Sequence, residues 1–537
     1  MLADWERVAG LPDKCAGTLE STVQGRRNAL LAKLTATGGQ SKAYFIAIAA
    51  ALGYEITIEE FRPFRAGRST AGDVLTNGDW MFTWRVRAPE VTVIPFRAGR
   101  SAAGEQLRAW GNDTLECKIR QRSPAHTVVL FAYANSSLDL LFTSATYLLK
   151  QQSVPFNSLI NFTRASTGTY FDAAGVLQTA AADAPRFEFD ASGAPLGLLF
   201  EQQRTNSYLF NQDLNNAYWG KAAGSMSAAG VVGGMPIFRF TPDTSNVGHL
   251  VSRALSMPAG STVNLSWVAK ADGYKRLSVR VAPGGTLVGR VVFDVQDGFI
   301  AQNNAGITAD IRPVGNGLFR FSVTFPLGAG VNGASANLEV ANDINGLTFA
   351  GDGVSSVLLS CPQAENDSMS SIIKTEGSAV TRAADLAFVP TGDWLQAGEG
   401  TLFAEVAHDV PTIESATAVL GTTSTVGRAT LWLLPSARAS SHVVTDGGAT
   451  VFLSTLGPTL SNGQVIKQAL AYAKNQFQFS ADGVVSPLDA AGDLPTINRL
   501  VLGARGVSAQ HMQGYIRRIR YYPRRLSESE LVALTSS

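Results

Sequence analysis

The sequence predicts a multidomain, mainly β protein in which a small α+β domain precedes two β-sandwiches. Three observations carry this prediction. The chain has 537 residues, which at about 150 per domain makes three or four domains. Charged residues are only 16% of the chain and hydrophobic ones 45%, with 52 glycines and 22 prolines; such a chain buries enough apolar surface to offset its conformational entropy and is well supplied with turn formers. Two series of short alternating segments separated by glycines fill residues 262–360 and 400–522, while helical periodicity is confined to the first 53 residues and to 527–534.

Taken in order, the first 50 residues read as helical. Ser21 and Gln24 fit a capping box ahead of Val23, Leu30, Leu31 and Leu34. Ser41 suits the cap of a second helix that ends at Gly53. The period then switches to two at Tyr54, Ile56 and Ile58. PFRAGRSTAGD (63–73) recurs 32 residues later as PFRAGRSAAGE (95–105), with WMFTWRVRAPEVTV alternating between them, and LECKI (115–119) and HTVVLFAY (126–133) read as further strands. The repeat lacks the Gly-Lys-Ser/Thr ending of a phosphate loop. It reads as a duplicated β-loop whose Arg65, Arg68, Arg97 and Arg100 make salt bridges or subunit contacts.

The first sandwich series runs TVNLSWVAK, RLSVRVA, RVVFDV, ITADI, FRFSVTF, ANLEVA, VSSVLLS, and breaks after Arg382. The second starts at Gly400 with TLFAEVA and closes with GYIRRIRYY and a short helix carrying a Ser527/Glu530 capping box. The expected boundaries are 1–150 for the α+β domain, 151–211 for a connector, 212–385 for the first sandwich and 386–537 for the second.

Composition excludes several function classes. Lys+Arg number 44 against 43 Asp+Glu, a net charge of +1, so no field draws the chain to nucleic acid or an acidic membrane. Three cysteines, Cys15, Cys117 and Cys361, make neither a disulfide framework nor a four-ligand zinc site. The longest apolar run, AYFIAIAAALGY, has 12 residues, against about 20 for a membrane span. MLADWERVAG holds no signal-peptide core, and the expectation is a soluble chain made in a reducing compartment. A Gly-x-Ser-x-Gly elbow, His-Glu-x-x-His and an EF-hand loop are all missing. The expectation is therefore a non-enzyme without metal or cofactor, although a spatial pair of carboxylates for glycoside hydrolysis is not legible in a sequence.

Several motifs resemble known families. DWERVAGLPDKC (4–15), TATGGQSKAYFIAIAAALGYEITIEEFRPFRAGRS (35–69), the repeated FRAGRS, WGNDTLECKI (110–119) and PAHTVVLFAY (124–133) resemble Mu-type phage tail proteins of the contractile-tail baseplate wedge. Members of that family usually carry a further helical segment before the position of Asp4. NFTRASTGTYFDAAGVLQTA (161–180), PRFEFD (185–190) and PLGLLFEQQRTN (195–206) are similar to the opening segment of modules in phage tail-fibre and virion proteins. PVGNGLFRFSVT (313–324) and GSAVTRAAD (377–385) resemble their carbohydrate-binding-module-like jelly roll, with Leu318 and VLLSCP standing where aromatics are usual. GYIRRIRYYPRRLSESELVAL (514–534) resembles the closing strand and helix of laminin-G/concanavalin-like lectin sandwiches.

These resemblances imply a virion protein, assembled in the host cytoplasm. It would dock to other baseplate wedge and tail proteins or to a tail fibre through 1–150, with Arg65, Arg68, Arg97 and Arg100 at the interface, and present lectin-like sandwiches to bacterial surface polysaccharide. A structural connector without receptor binding, or a polysaccharide depolymerase, are the alternatives. Glycan binding needs exposed aromatic faces, for which Trp394, Trp432 and Tyr472 are candidates; Trp432, inside LWLLP, equally suits a core. Arg517, Arg518 and Arg520, with Arg524 and Arg525, form the densest basic cluster, either a solvated face or a contact for phosphate or uronate groups.

Overall fold

A computed structural model describes residues 2–11, 15, 27, 30, 39–51, 56–61, 81–89, 93–95, 108–110, 113–134, 136–150, 152–285, 287, 289–304, 306–409, 414–422, 426–505 and 510–536. The chain divides into two units, Met1–Asn135 and Ser136–Ser537. The duplicated loops, with Arg65, Arg68, Arg97 and Arg100, and the Ser21/Gln24 box lie outside the described residues.

The first unit is α+β, as expected. Ser41 Oγ accepts the Tyr44 N–H at 3.2 Å and opens the helix Lys42–Ala51. Strands Thr57–Glu60, Thr83–Pro89 and Val128–Ala134 form one sheet, the last two parallel. Phe45, Ala49, Ile56, Trp84, Val86, Leu115, Ile119 and Val129 make its core. LECKI is not a strand but part of the helix Asp113–Arg122. Leu115 and Ile119 are four apart, which satisfies both periods, and burial of that pair against Phe45 and Trp84 selects the helix. Cys15 and Cys117 form a disulfide across 102 residues of chain, a correction to the expectation of reduced thiols. Only Cys361 is free, and it is buried.

The second unit corrects the expected domain boundaries. Its outer sandwich is assembled from separated stretches. One sheet contains, as neighbours, Gln464–Ala473, Glu399–His408, Gly514–Tyr522, Leu138–Leu141 and Thr146–Leu149, with Pro195–Phe200 also paired to Gly514–Tyr522. The facing sheet runs from Thr450–Leu456 through Ser415–Gly421, Arg499–Leu502 and Leu386–Pro390 to Asn161–Thr163. Strands within 138–163 and 187–200, expected in the α+β domain and the connector, therefore belong to this sandwich, and 386–537 lacks part of its own sheets. Leu138, Leu140, Phe162, Leu198 and Phe200 are buried in one cluster with Leu402, Leu431, Tyr472 and Ile519.

The other sandwich is inserted between those stretches. Its sheets are built from strands within 220–366 alone, and its core packs Trp219, Phe240, Trp267, Phe293 and Phe321. The hairpin Gly168–Phe171/Leu177–Ala180 covers its six-stranded sheet, where Phe171 and Leu177 meet Met235, Val268, Leu318 and Cys361. This accounts for Leu318 and the aliphatic VLLSCP strand: that face is covered.

Both crossings of the junction are tied by a buried ion cluster. Asp385 takes Arg164 Nη1 at 3.1 Å and Arg186 Nη2 at 2.5 Å; Glu201 takes Arg186 Nη1 at 2.7 Å and Arg382 Nε at 3.4 Å. All five side chains are at most 2% exposed. Ser371 donates to Glu201 through both its N–H (2.6 Å) and its hydroxyl (2.7 Å). The arginines also donate to the carbonyls of Ser166, Ala181, Thr169 and Gln202. Burial alone would raise the Glu201 carboxyl, but Arg382 and Arg186 hold it far below the usual carboxylate range. These charges belong to the TRAS, PRFEFD, FEQQR and VTRAAD motifs noted in the sequence. Their physical role is to hold the insertion to its host.

Candidate functional site

The residues expected to stack on sugar are core side chains. Trp394 is 2% exposed, Trp432 1% and Tyr472 0%. Trp394 donates its indole N–H to Pro390 O and sits edge-on to Tyr521; the Tyr472 hydroxyl meets that of Tyr521 at 3.1 Å. Trp394, in the turn after Leu386–Pro390, and Tyr472 pack into the sandwich core. Trp432 lies on the opposite face of its strand from Leu431 and Leu433, buried with Ala416, Val419 and Val501. A sugar platform on these residues is ruled out.

The arginines are half-buried on the closing strand Gly514–Tyr522, and they are paired. A β-bulge sets both Arg517 and Arg518 against Glu405, since Glu405 pairs with Arg518 and Val406 already with Ile516. Arg517 Nε bonds Glu405 at 3.0 Å. Asp139 accepts Arg518 bidentately, at 2.9 and 2.6 Å, and Arg520 Nε at 3.0 Å. Arg524 forks onto Glu530, and Arg525 donates to Gln478. A polyanion would have to compete with Asp139 and Glu405, so the phosphate or uronate reading loses its basis. What remains is a row of coupled donors and acceptors, which suits hydroxyl groups that donate and accept at once.

The row continues toward the inserted sandwich. The Tyr515 hydroxyl donates to Glu188 at 3.0 Å, and Glu188 also accepts the Phe171 N–H. Burial raises the Glu188 carboxyl, with the neighbouring Glu201 adding to it, and raises the Tyr515 hydroxyl well above its ordinary value. Arg312, on the inserted strand Thr308–Gly315, pairs with Asp310 at 3.0 Å with its side chain 41% exposed. It lies in the field of Asp409 and Tyr515 from the outer sandwich. Burial pushes the Asp409 carboxyl up, against the pull of Arg312. Asp310, Arg312, Asp409 and Tyr515, all part-exposed, thus face one another where the two sandwiches meet, a place where ligand clefts commonly form.

Sequence reasoning found the arginine end of this row and missed Asp139, Glu405, Arg312 and Asp409. Their strands are far apart in the chain, and no local pattern joins them. Among the described residues no group of His, Cys, Asp and Glu has the makings of a metal site, and no helix is long and apolar enough to cross a membrane.

No curated protein matches the chain. Among solved structures, the CBM40 module of the IT-sialidase from Ruminococcus gnavus, solved with α2,3-sialyllactose, is 19% identical over 26% of this chain and 84% of its own, with a TM-score of 0.23. The NanB sialidase of Streptococcus pneumoniae is 15% identical over 27% of this chain and 25% of its own, with a TM-score of 0.24. A leech intramolecular trans-sialidase is 22% identical over 26% and 23% respectively, with a TM-score of 0.22. Residues 1–134, the stretch whose motifs resemble Mu-type tail proteins, match the family described as Bacteriophage Mu-like, Gp48.

Proposed function

We propose that this chain is a structural component of a phage tail that docks to the baseplate by its first unit and carries, in its second, a site for host-surface glycan. The observation that carries the reading is the family match over residues 1–134, which coincides with the first unit to within one residue. The duplicated FRAGRS loops supply guanidinium forks suited to bidentate pairing with carboxylates of a wedge or tail partner. The paired charges running from Arg520 to Arg312 support binding of a hydroxyl-rich polysaccharide, and many copies on one virion would raise weak single-site affinity by avidity. Nothing in this arrangement requires turnover of the bound polymer.

Complementation tests the assembly half. Virions lacking the wild-type gene product should be restored by the wild-type chain and not by a chain with Arg65, Arg68, Arg97 and Arg100 changed to alanine; restoration by that variant removes the docking surface proposed here. Adhesion of fluorescent full-length chain, multimerised on beads, to host cells tests the glycan half. Loss of adhesion in Arg312→Ala supports the site. No adhesion leaves a structural connector, and release of reducing ends from host polysaccharide would make the chain a depolymerase.

A further inference from the structure

The closing strand Gly514–Tyr522 changes neighbours along one edge. Gly514–Ile516 pair with Leu198–Phe200, whereas Arg518–Tyr521 pair with Leu138–Leu141. Arg517, the bulged residue, falls at the change. Two strands that share one edge and then diverge leave a wedge between them, and here the wedge is open. It is a cavity of about 170 Å³ lined by Phe142 and the turn that follows it, by Phe187, Glu188 and Phe189, and by Pro195 and Gly197.

The cavity is held open by its frame. Gly197 has φ +125°, and a Cβ there would collide with the Ile516 carbonyl oxygen, so no side chain enters from that position. Phe142 is fixed in the core and linked through tilted and edge-to-face ring contacts with Tyr147 and Phe156 to Phe187. Phe187 and Phe189 are part-exposed on one side of their strand, while Glu188 turns to the other, toward Tyr515. The cavity borders the polar row directly, because Arg517 reaches the Pro195 and Leu196 carbonyls while holding Glu405.

From this geometry we infer that the cavity is a subsite for the acetamido group of an N-acetylated amino sugar, an inference that rests on the glycan-binding reading above. Its size argues first: at about 30 Å³ per water molecule in the liquid, there is room for one substituent and a ring edge, not for an oligosaccharide. Its walls argue second. A plain pyranose would bury hydroxyls against phenylalanine and proline with too few partners, at a cost in affinity. An acetamido group instead offers a methyl to the aromatic wall and a single amide to the hydroxyl-bearing Thr143 and Ser144, which line the cavity beside Ala145 and Glu188. The remaining ring hydroxyls then lie along the Arg517–Glu405 and Arg518–Asp139 pairs.

Saturation-transfer NMR on the full chain tests this with N-acetylglucosamine, N-acetylgalactosamine and N-acetylmannosamine against glucose, galactose and mannose. At least one acetylated sugar should bind, with its methyl protons receiving the strongest transfer, and its parent should bind about tenfold more weakly or not at all. Phe189→Ala and the isosteric Thr143→Val should each lower that transfer severalfold while the circular dichroism spectrum stays unchanged; if Phe189→Ala disturbs the fold, Thr143→Val decides. Equal binding of acetylated and parent sugars, or binding indifferent to Thr143→Val, overturns the subsite. If such binding is still lost in Arg312→Ala, the glycan site survives without the cavity. Silence from all six sugars overturns the subsite, and the adhesion assay on host cells then judges the broader reading separately.

Discussion

The two sandwiches of the second unit are built from similar alternating strands, yet they close in opposite ways. The inserted one draws every strand from a continuous stretch, 220–366, and its core is complete within residues 208–364. The outer one pairs Leu138–Leu141 with Arg518–Tyr521 and Asn161–Thr163 with Leu386–Phe388, so its core exists only after chain ends about 380 residues apart have met. The lesson is that a run of well-patterned strands does not make an autonomous domain. Each sheet must also own the strands that cover its edges and fill its core.

The largest expected effect separates the two outright. A fragment spanning 207–376 should give dispersed amide NMR signals and a cooperative melt. A fragment spanning 386–537 should not, because it leaves the edge of Gly514–Tyr522 unpaired and exposes the faces that Leu138, Phe162 and Phe200 cover. A folded 386–537 fragment would erase the distinction.

Next in size are the ties between the sandwiches. Asp385→Ala leaves Arg164 and Arg186 buried without their shared carboxylate and should cost about 3–5 kcal/mol, read by urea denaturation of the full chain. If only the outer sandwich melts earlier, the cluster serves that sandwich alone; earlier melting of both shows that it couples them. Trp432→Ala, in the cluster with Ala416, Val419 and Val501 on the other face of its outer-sandwich sheet, and Trp219→Ala in the inserted core should each cost about 3–5 kcal/mol and leave the partner sandwich's melting intact. Adhesion lost by folded Trp432→Ala protein would contradict its burial.

A smaller, pH-dependent difference marks the outer sandwich. His408 is 1% exposed, and burial pulls its imidazole down from 6.5 to about 4. Above pH 6.5 it is neutral in both states and has no effect. As pH falls from 6.5 to 4 the unfolded chain takes up the proton and the folded one does not, so stability drops by up to about 3 kcal/mol. His408→Gln should shrink the fall in melting temperature of the outer sandwich over that window, and the inserted sandwich should be indifferent. The smallest effect belongs to the half-buried Arg520: with Arg518 still bidentate on Asp139, Arg520→Ala should cost about 1 kcal/mol or less.

Much of this was legible locally. The strand series from Thr262 onward matches the observed strands closely, GYIRRIRYY coinciding with Gly514–Tyr522, and Ser527 with Glu530 forms the expected capping box. Alternation and capping act between residues a few positions apart, so the sequence displays them directly. LECKI shows the limit, because i and i+4 fit a strand and a helix alike until Phe45 and Trp84 arrive to bury them.

By itself, then, the sequence determined the mainly β class, the strands of both series, the closing helix and the kinship of residues 1–134. Only the tertiary structure decided that strands within 138–163 and 187–200 complete the outer sandwich, that Trp394, Trp432 and Tyr472 are buried, and that the Arg517–Arg520 cluster is met by Asp139 and Glu405. The physical reason is common to all three. Which strand pairs with which, and which charge meets which, depends on burying a whole core at once, and its partners lie up to some 380 residues away along the chain.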